Sequence, residues 1–351
     1  DLATELGQAH APLVKAGLAD AIARQGIRQA DLSTITALLT DEDAVVRSEA
    51  VRLLVPHAAS VYRALGDVAA EEAETVPVRT AAVAALGSAG AQARSTLLGL
   101  VRDAEAPPAV RHAAIRALAR VSAEGAADVG AIPANTTRPL AEQRIAIRAL
   151  VQAGSAGDTE LTTLAASTSP TVRAEALAAM AERGGTTHLK TLANAVTDPW
   201  PVVRYQALVS LRALGAGATY RTQVIGRLLD TDPRVLSLAA QMVGSSCGDI
   251  ASQVIPSLKL LLASTNFRVR YDAALALFAL GDTSGAATML SAGPHSGTAP
   301  KCRIRIGATA TWAPIAADTA GPMKRRRHAP AAPMTPAAAA TDSWNPTSVD
   351  R

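Results

Sequence analysis

Apolar residues recur along this chain at three- and four-residue steps, the spacing that gathers them on one face of an α-helix. After Val46 the apolar positions continue at Ala50, Leu53 and Leu54, and similar offsets follow later valines. Strand-favouring residues do not alternate with polar ones over any stretch of the sequence. Only 3% of the residues are aromatic, so Ala, Leu and Val must fill the core. The pattern therefore predicts an all-α protein.

A five-residue element, Val-Arg-x-x-Ala, recurs in phase with this pattern. Six copies are complete, and two degenerate copies begin at Gln143 and Val235. The first positions of the copies are 46, 78, 110, 143, 172, 203, 235 and 269, in steps of 29 to 34 residues. One helix, a turn, a second helix and a connection need about this length. The sequence thus predicts stacked helix pairs, with the element at the start of each second helix.

Turn residues flank the element on both sides. Ser169-Pro170, Asp198-Pro199 and Asp232-Pro233 predict the starts of second helices, because Ser or Asp caps a helix and Pro suits its first turn. Glycines in the left-handed conformation are expected to end several helices. These glycines are Gly87, Gly90, Gly154, Gly184, Gly185, Gly215 and Gly281.

The repeats resemble a known family. Residues 228–249 (LLDTDPRVLSLAAQMVGSSCGD) and 260–282 (LLLASTNFRVRYDAALALFALGD) look like HEAT repeats, particularly the bacterial subtype first associated with phycobilisome lyases. The resemblance covers roughly residues 30–292 and implies a right-handed α-solenoid of about eight stacked antiparallel helix pairs. It also implies that the element's Arg bonds to a turn Asp between neighbouring pairs, forming a ladder that Leu236 interrupts. The predicted ladder residues are Arg47, Arg79, Arg111, Arg144, Arg173, Arg204 and Arg270.

The periodicity divides the chain into three parts. Residues 1–30 are predicted to form a capping helix or partial repeat, residues 31–292 the solenoid, and residues 293–351 a disordered tail rich in Ala, Pro and Thr. The tail carries 8 Lys+Arg against 3 Asp+Glu, so the net charge of +4 belongs to it and gives no sign of nucleic-acid binding by the repeats. Its basic run at residues 324–328 is typical of a polyanion-binding or nuclear-import segment. A shifted reading frame of a GC-rich gene would yield the same composition.

Catalytic motifs do not occur in the sequence. The six histidines have no acidic neighbour, so the His-Glu pairs that the HEAT-repeat enzyme deoxyhypusine hydroxylase uses for iron are missing. His-Glu-x-x-His, phosphate-loop and nucleophile-elbow motifs are also missing. Cys247 and Cys302 lie apart from each other and from ligand-spaced histidines. The sequence therefore predicts no catalytic residue, cofactor or metal. Bilin-lyase activity and a triad assembled only in space stay open as alternatives.

The inner face of a HEAT superhelix is lined by its second helices. With the valine of each copy as offset zero, offsets 2, 6 and 9 or 10 point away from the core. Exposed Arg and Tyr are common at protein interfaces. The candidate concave-face residues are Arg52, His112, Arg116, Arg120, Arg148 (one residue out of frame), Tyr205, Arg212 and Tyr271.

These residues favour a non-catalytic protein-binding scaffold or adaptor. An extended acidic segment of a protein is the expected partner, because the cluster of Arg52, Arg116, Arg120 and Arg148 would pair with its carboxylates. Nucleic acid is not expected, although a nucleic-acid-binding repeat protein and a lyase subunit are the alternatives. The sequence contains no run of about eighteen apolar residues, the length that would suggest a membrane span. A cytoplasmic location is predicted, although the chain begins without Met, so a removed signal peptide is an open alternative.

Overall fold

A computed structural model describes residues 2–9, 11–135 and 137–291 of the chain. Every regular element within these ranges is helical, which confirms the all-α prediction. The predicted tail, residues 293–351 with the basic run 324–328, lies outside the described residues. The α-helices are α1 Leu2–Gln8, α2 Pro12–Arg24, α3 Gln29–Ala37, α4 Ala44–Leu54, α5 Ala58–Ala70, α6 Val76–Leu86, α7 Arg94–Arg102, α8 Pro108–Val121, α9 Ala123–Gly130, α10 Leu140–Leu150, α11 Gly154–Leu164, α12 Pro170–Arg183, α13 Leu189–Ala195, α14 Pro201–Ala213, α15 Arg221–Gly226, α16 Pro233–Ser246, α17 Ala251–Leu261, α18 Phe267–Ala279 and α19 Ala286–Ser291.

Helices α3 to α18 form eight successive pairs within the described part of the chain, as the period predicts. The odd-numbered member of each pair is the first helix, and short 3-10 turns extend several of them. The even-numbered member is the second helix and contains one copy of the element. The fold is therefore an α-solenoid in which each copy occupies an equivalent place.

The second helices form the more closely spaced row of the solenoid. From α2 to α18, each even-numbered helix contacts the next one, whereas contacts between successive first helices are sparser. Helix α2 stacks on α4 as later second helices stack on one another. The face along which the second helices stack is hereafter called the inner face.

Small and branched side chains fill the core between these rows. Val46, Ala50 and Leu54 are completely buried, and their equivalents in the later second helices are buried as well. The helices approach closely at the small residues: a Cβ added to Gly244 in α16 would lie 2.7 Å from Cα of Ala276 in α18. Burying a Val or Leu side chain stabilises the fold by about 1.5–3 kcal/mol. The Ala-rich composition therefore yields tight stacking of the repeats.

Helix boundaries follow the predicted turn chemistry, with two exceptions. Ser169 and Asp232 cap α12 and α16 by accepting a backbone N–H, as predicted. Asp198 does not cap a helix, because α14 begins two residues later than predicted, at Pro201, and the Asp198 carboxylate binds Arg173 instead. The other exception is Gly87, whose φ of −61° is helical, whereas the other glycines predicted to end helices have positive φ.

The structure corrects the predicted register of α10 by one residue. Glu142, not Gln143, occupies the valine position, and its side chain is buried. Gln143 then takes the arginine position and donates to the carbonyl oxygen of Arg138 at 3.0 Å. Arg144 consequently leaves the ladder position, and Arg148 falls at offset 6, in frame with Arg116.

Candidate functional site

Arginines at offset 1 lie along the seam between repeats. The guanidinium of Arg204 donates to both carboxylate oxygens of Asp230, at 2.7 and 2.6 Å, and to the carbonyl oxygens of Asp198 and Pro199, at 3.0 and 2.9 Å. It thus joins its own turn to the turn of the next repeat.

Three other arginines of the predicted ladder, Arg47, Arg111 and Arg173, make the same kind of bridge. Arg173 donates to both carboxylate oxygens of Asp198 at 2.8 Å and to two carbonyls of its own turn. Arg47 and Arg111 pair with Glu74 and Glu142 of the following repeats, at 2.9 and 3.0 Å. Lys15 in α2 extends the series with a 2.5 Å ion pair to Asp41.

The remaining predicted ladder residues depart from this arrangement. Arg79 is buried and donates to the carbonyl oxygen of Ala69, near the C-terminal end of α5 in its own repeat, at 3.0 Å. Arg270 binds two carbonyls of its own turn. Arg144 is exposed and pairs with Glu175 on α12, as its corrected register requires.

The ladder carboxylates are charged despite their burial. Burial, the largest single effect, would raise the pKa of Asp230, but the hydrogen bonds from Arg204 and the backbone N–H of Asp232, together with the charges of Arg204 and Arg227, outweigh it and the pKa is lowered. The pKa of Glu142 is lowered in the same way by Arg111 and Arg138. The hydrogen bond from Arg47 is the main reason for the lowered pKa of Glu74. These carboxylates are committed to the seam and are not free to bind other cations.

Four arginines line one cavity of about 570 Å³ on the inner face, hereafter the arginine cavity. Arg116 and Arg120 come from α8, and Arg144 and Arg148 from the neighbouring α10. In each pair the residues are four apart and therefore share one side of their helix. Small apolar side chains such as Ala84 complete the wall. The structure thus brings together three predicted face residues and one predicted ladder residue.

The four arginines differ in their pairing. Arg148 binds Glu182 at 2.7 Å and Arg144 binds Glu175 at 3.0 Å, both acids belonging to α12. Arg116 and Arg120 make no hydrogen bond or ion pair with other residues that the structure describes. Two exposed guanidinium groups are therefore without a counter-charge from the described chain.

Arg52, which the sequence grouped with this cluster, lies apart from it. Its guanidinium binds Glu49 in its own helix and Asp20 in α2, the latter at 2.9 Å. One whole repeat, with Ala84 at the corresponding offset, separates it from Arg116. His112 is half-buried one turn before Arg116 and does not line the cavity. The predicted cluster is therefore corrected to Arg116, Arg120, Arg144 and Arg148.

A second cavity of about 350 Å³ lies further along the same face. Tyr205 and Arg212 line it with Arg234, whose guanidinium sits 5.9 Å from the Tyr205 ring centre. Arg234 pairs with Asp232 and so does not replace the ladder contact that Leu236 lacks. Tyr271 lies outside this cavity, stacked on Phe267 with ring centres 6.1 Å apart. The two tyrosines therefore belong to separate surroundings.

Other chemical features of the described chain are a further cavity and a buried thiol. A cavity of about 840 Å³ lies between α3 and α5, with Arg47 of α4 also in its lining. In the described ranges, no group of three or more His, Cys, Asp or Glu side chains is placed to hold a metal ion. Burial raises the pKa of the Cys247 thiol, which disfavours the reactive thiolate. None of the helices described is long and apolar enough to cross a membrane.

Comparison with known proteins identifies HEAT repeats in part of this array. A family model described as HEAT repeats matches residues 158–242, which run from within α11 to within α16. This match confirms the predicted HEAT-type repeat. The phycobilisome-lyase subtype stays a prediction. No curated protein matches the sequence.

Several solved structures are similar in chain path. An engineered protein of a structural genomics consortium is 20% identical, with 83% of this chain and 91% of that chain covered and a TM-score of 0.34. YibA of Escherichia coli is 15% identical, with 76% and 96% covered and a TM-score of 0.35. Kap121p in its complex with Ste12p is 15% identical, with 80% and 36% covered and a TM-score of 0.49. The chain thus spans little more than a third of that protein.

Proposed function

We propose that this protein is a non-catalytic binding scaffold that holds an extended acidic segment of a partner protein along its second helices. The observation that supports this most strongly is the pair of unneutralised arginines, Arg116 and Arg120, on the inner face. Four of the ladder arginines, Arg47, Arg111, Arg173 and Arg204, are paired with acids, so unpaired charge at this place favours an external counter-charge.

The dimensions of the face agree with an extended partner. Neighbouring helices pack at about 8–10 Å, so eight repeats make a face about 70 Å long. Tyr205 is half-buried beside Arg212 and offers an amphipathic contact several repeats beyond the arginine cavity. A segment that crosses both cavities would gain charge pairing at one end and contact with the Tyr205 ring at the other.

The test reverses the unpaired charges. Proteins captured by the full parent chain are purified, and the binding of each is then measured to the parent and to its Arg116→Glu/Arg120→Glu variant. For such a partner, the variant should associate more slowly and lose most of the salt dependence of association, while Tyr205→Ala should chiefly speed dissociation.

Arg63→Glu is the matched control. Arg63 is exposed on the first helix α5 and contacts only the Tyr62 side chain, so its reversal changes net charge without touching the inner face. All variants must keep the parent's circular dichroism spectrum and melting temperature. Equal binding by parent and double variant at low salt would place the binding surface elsewhere on the solenoid.

A further inference from the structure

Positive side chains outnumber negative ones around the arginine cavity. Helices α6 and α8 contain no Asp or Glu, and the only acid of α10, Glu142, is occupied by Arg111 and Arg138. The four cavity arginines meet two acids, Glu175 and Glu182, so about two positive charges have no partner in the described chain. A carboxylate carries one negative charge, whereas a phosphorylated side chain carries about −1.5 to −2 at neutral pH.

The arrangement of donors suits a compact anion with several oxygens. Two guanidinium pairs project from adjacent helices, and each guanidinium is a planar fork that binds phosphate in two-pronged geometry. The wall between them is formed by small side chains, including Ala84, Ala113 and Ala149, which leave the arginines accessible. A volume of about 570 Å³ exceeds what a phosphoryl group needs and leaves room for its side chain and neighbouring residues.

Gly87 positions one of these donors. A Cβ at Gly87 would lie 2.6 Å from an Nη atom of Arg120, so the guanidinium occupies space that any other residue would fill. The guanidinium therefore lies against the C-terminal end of α6, where exposed carbonyl groups favour a cation. Arg120 therefore lies at the end of α6, on the same side of α8 as the other unpaired arginine, Arg116, and no acid of the described chain holds its guanidinium there.

We propose that the arginine cavity is a subsite for the phosphoryl group of a phosphoserine or phosphothreonine in the bound segment. This inference rests on the proposed function and narrows it to phosphorylated partners. Nucleic acid fits less well, because phosphodiesters need positive charge along a path. Here the unpaired charge of the cluster is confined to α8, while Arg52 and the seam arginines Arg173 and Arg204 are neutralised by acids.

Three fluorescein-labelled peptide pools test the proposal on the full chain. Each pool has nine residues with the same acidic flanks, and serine, glutamate or phosphoserine is fixed at the centre. Fluorescence anisotropy should show phosphoserine peptides binding roughly tenfold to hundredfold more tightly than serine peptides, as expected for one or two hydrogen bonds between charged groups. Glutamate should give a smaller gain, and inorganic phosphate should compete with the phosphoserine pool.

Variants of the arginine cavity show whether the preference for phosphoserine over serine arises there. Arg116→Gln/Arg120→Gln should bring the phosphoserine-to-serine ratio close to one. Gly87→Ala should lower the ratio while keeping every charge, because its Cβ displaces the Arg120 guanidinium. Arg63→Gln, which removes one charge from the first-helix side, should leave the ratio unchanged.

The outcomes separate the two proposals. Equal binding of all three pools overturns the phosphoryl subsite and leaves the acidic-segment scaffold standing. Binding of no pool counts against both. Tighter binding of a single-stranded oligonucleotide of nine nucleotides than of the phosphoserine pool overturns the assignment to phosphorylated protein. A phosphoserine preference that persists in the double glutamine variant moves the site away from α8.

Discussion

The ladder contact of Arg204 should make a large contribution to stability. Replacing Arg204 with Ala removes four hydrogen bonds, two to Asp230 and two to carbonyls of its own turn. The carboxylate of Asp230 would stay almost completely buried, with Arg227 at 3.3 Å and the backbone N–H of Asp232 at 2.9 Å as its remaining donors.

Breaking a buried ion pair by removing one partner costs about 3–5 kcal/mol. The two surviving donors of Asp230 reduce this penalty, so we expect Arg204→Ala to lower the free energy of unfolding by roughly 2–4 kcal/mol. Arg221→Ala is the matched control, because Arg221 also bridges repeats, to Asp249 at 2.6 Å, but both side chains are exposed. An exposed pair contributes about 0–1 kcal/mol.

Urea denaturation followed by circular dichroism at 222 nm compares the two variants. Because solenoids unfold in neighbouring units, hydrogen exchange in α14 and α16 should show where the protection is lost. A double variant, Arg204→Ala/Asp230→Ala, should be more stable than the sum of the single effects predicts, since the buried carboxylate that Arg204→Ala leaves without its main partner is removed as well. If Arg204→Ala is no more damaging than Arg221→Ala, the seam pairs do not hold the repeats together.

Two further predictions concern pH and close packing. Because the pKa of Asp230 is lowered in the folded protein, its ion pair stabilises the fold above about pH 4 and that stability is lost as pH falls through the folded-state pKa. Urea titrations should therefore show the stability deficit of Asp230→Asn shrinking below about pH 4, and a constant deficit would contradict this. Gly244→Ala should cost about 1–3 kcal/mol by overpacking against Ala276, whereas Gly226→Ala, which meets open space at helical φ, should not destabilise. Equal melting temperatures of the two glycine variants would show that α16 and α18 can separate without cost.

The sequence predicts the helix pairs because each repeat restates the same information. Val46 and its equivalents recur in phase with capping residues such as Ser169 and Asp232, so periodicity, turn chemistry and helix length agree. A single copy of the element would not define a helix pair unambiguously. The recurrence of the element in phase supports the assignment of each copy by that of its neighbours.

The register of α10 shows where such prediction stops. Sequence alignment places Gln143 at the valine position, because Arg144 then matches the arginine of the element. Glu142 is buried because Arg111 and Arg138, 31 and 4 residues away, both bind its carboxylate. A change of one residue turns a side chain by about 100° around the helix, which is why Arg144 reaches the inner face instead of the seam.

The sequence also does not predict which arginines are paired with acids. Arg52 and Arg116 occupy the same offset and have the same exposed character in the sequence. Only the stacking of α2 on α4 brings Asp20 to Arg52, across 32 residues of chain. The repeat pattern therefore predicts which residues lie on the inner face. The net charge of that face depends in addition on which acids the neighbouring helices present, and the repeat pattern does not predict these.

Two properties distinguish the arginines that hold repeats together from those left available to an external anion. These are the position of the arginine within the repeat and the presence of an acid that pairs with it. An arginine at offset 1 reaches the next turn, where Asp198 or Asp230 can accept it. An arginine at offset 6 projects over the inner face and reaches its own helix and the adjacent second helix, as Arg52 reaches Glu49 and Asp20. When that helix also carries arginine at offset 6, as α10 carries Arg148 beside Arg116, the repeat supplies repulsion in place of a partner. Such a pair destabilises the free protein slightly, so a bound anion at this place gains both its own contacts and the relief of that repulsion.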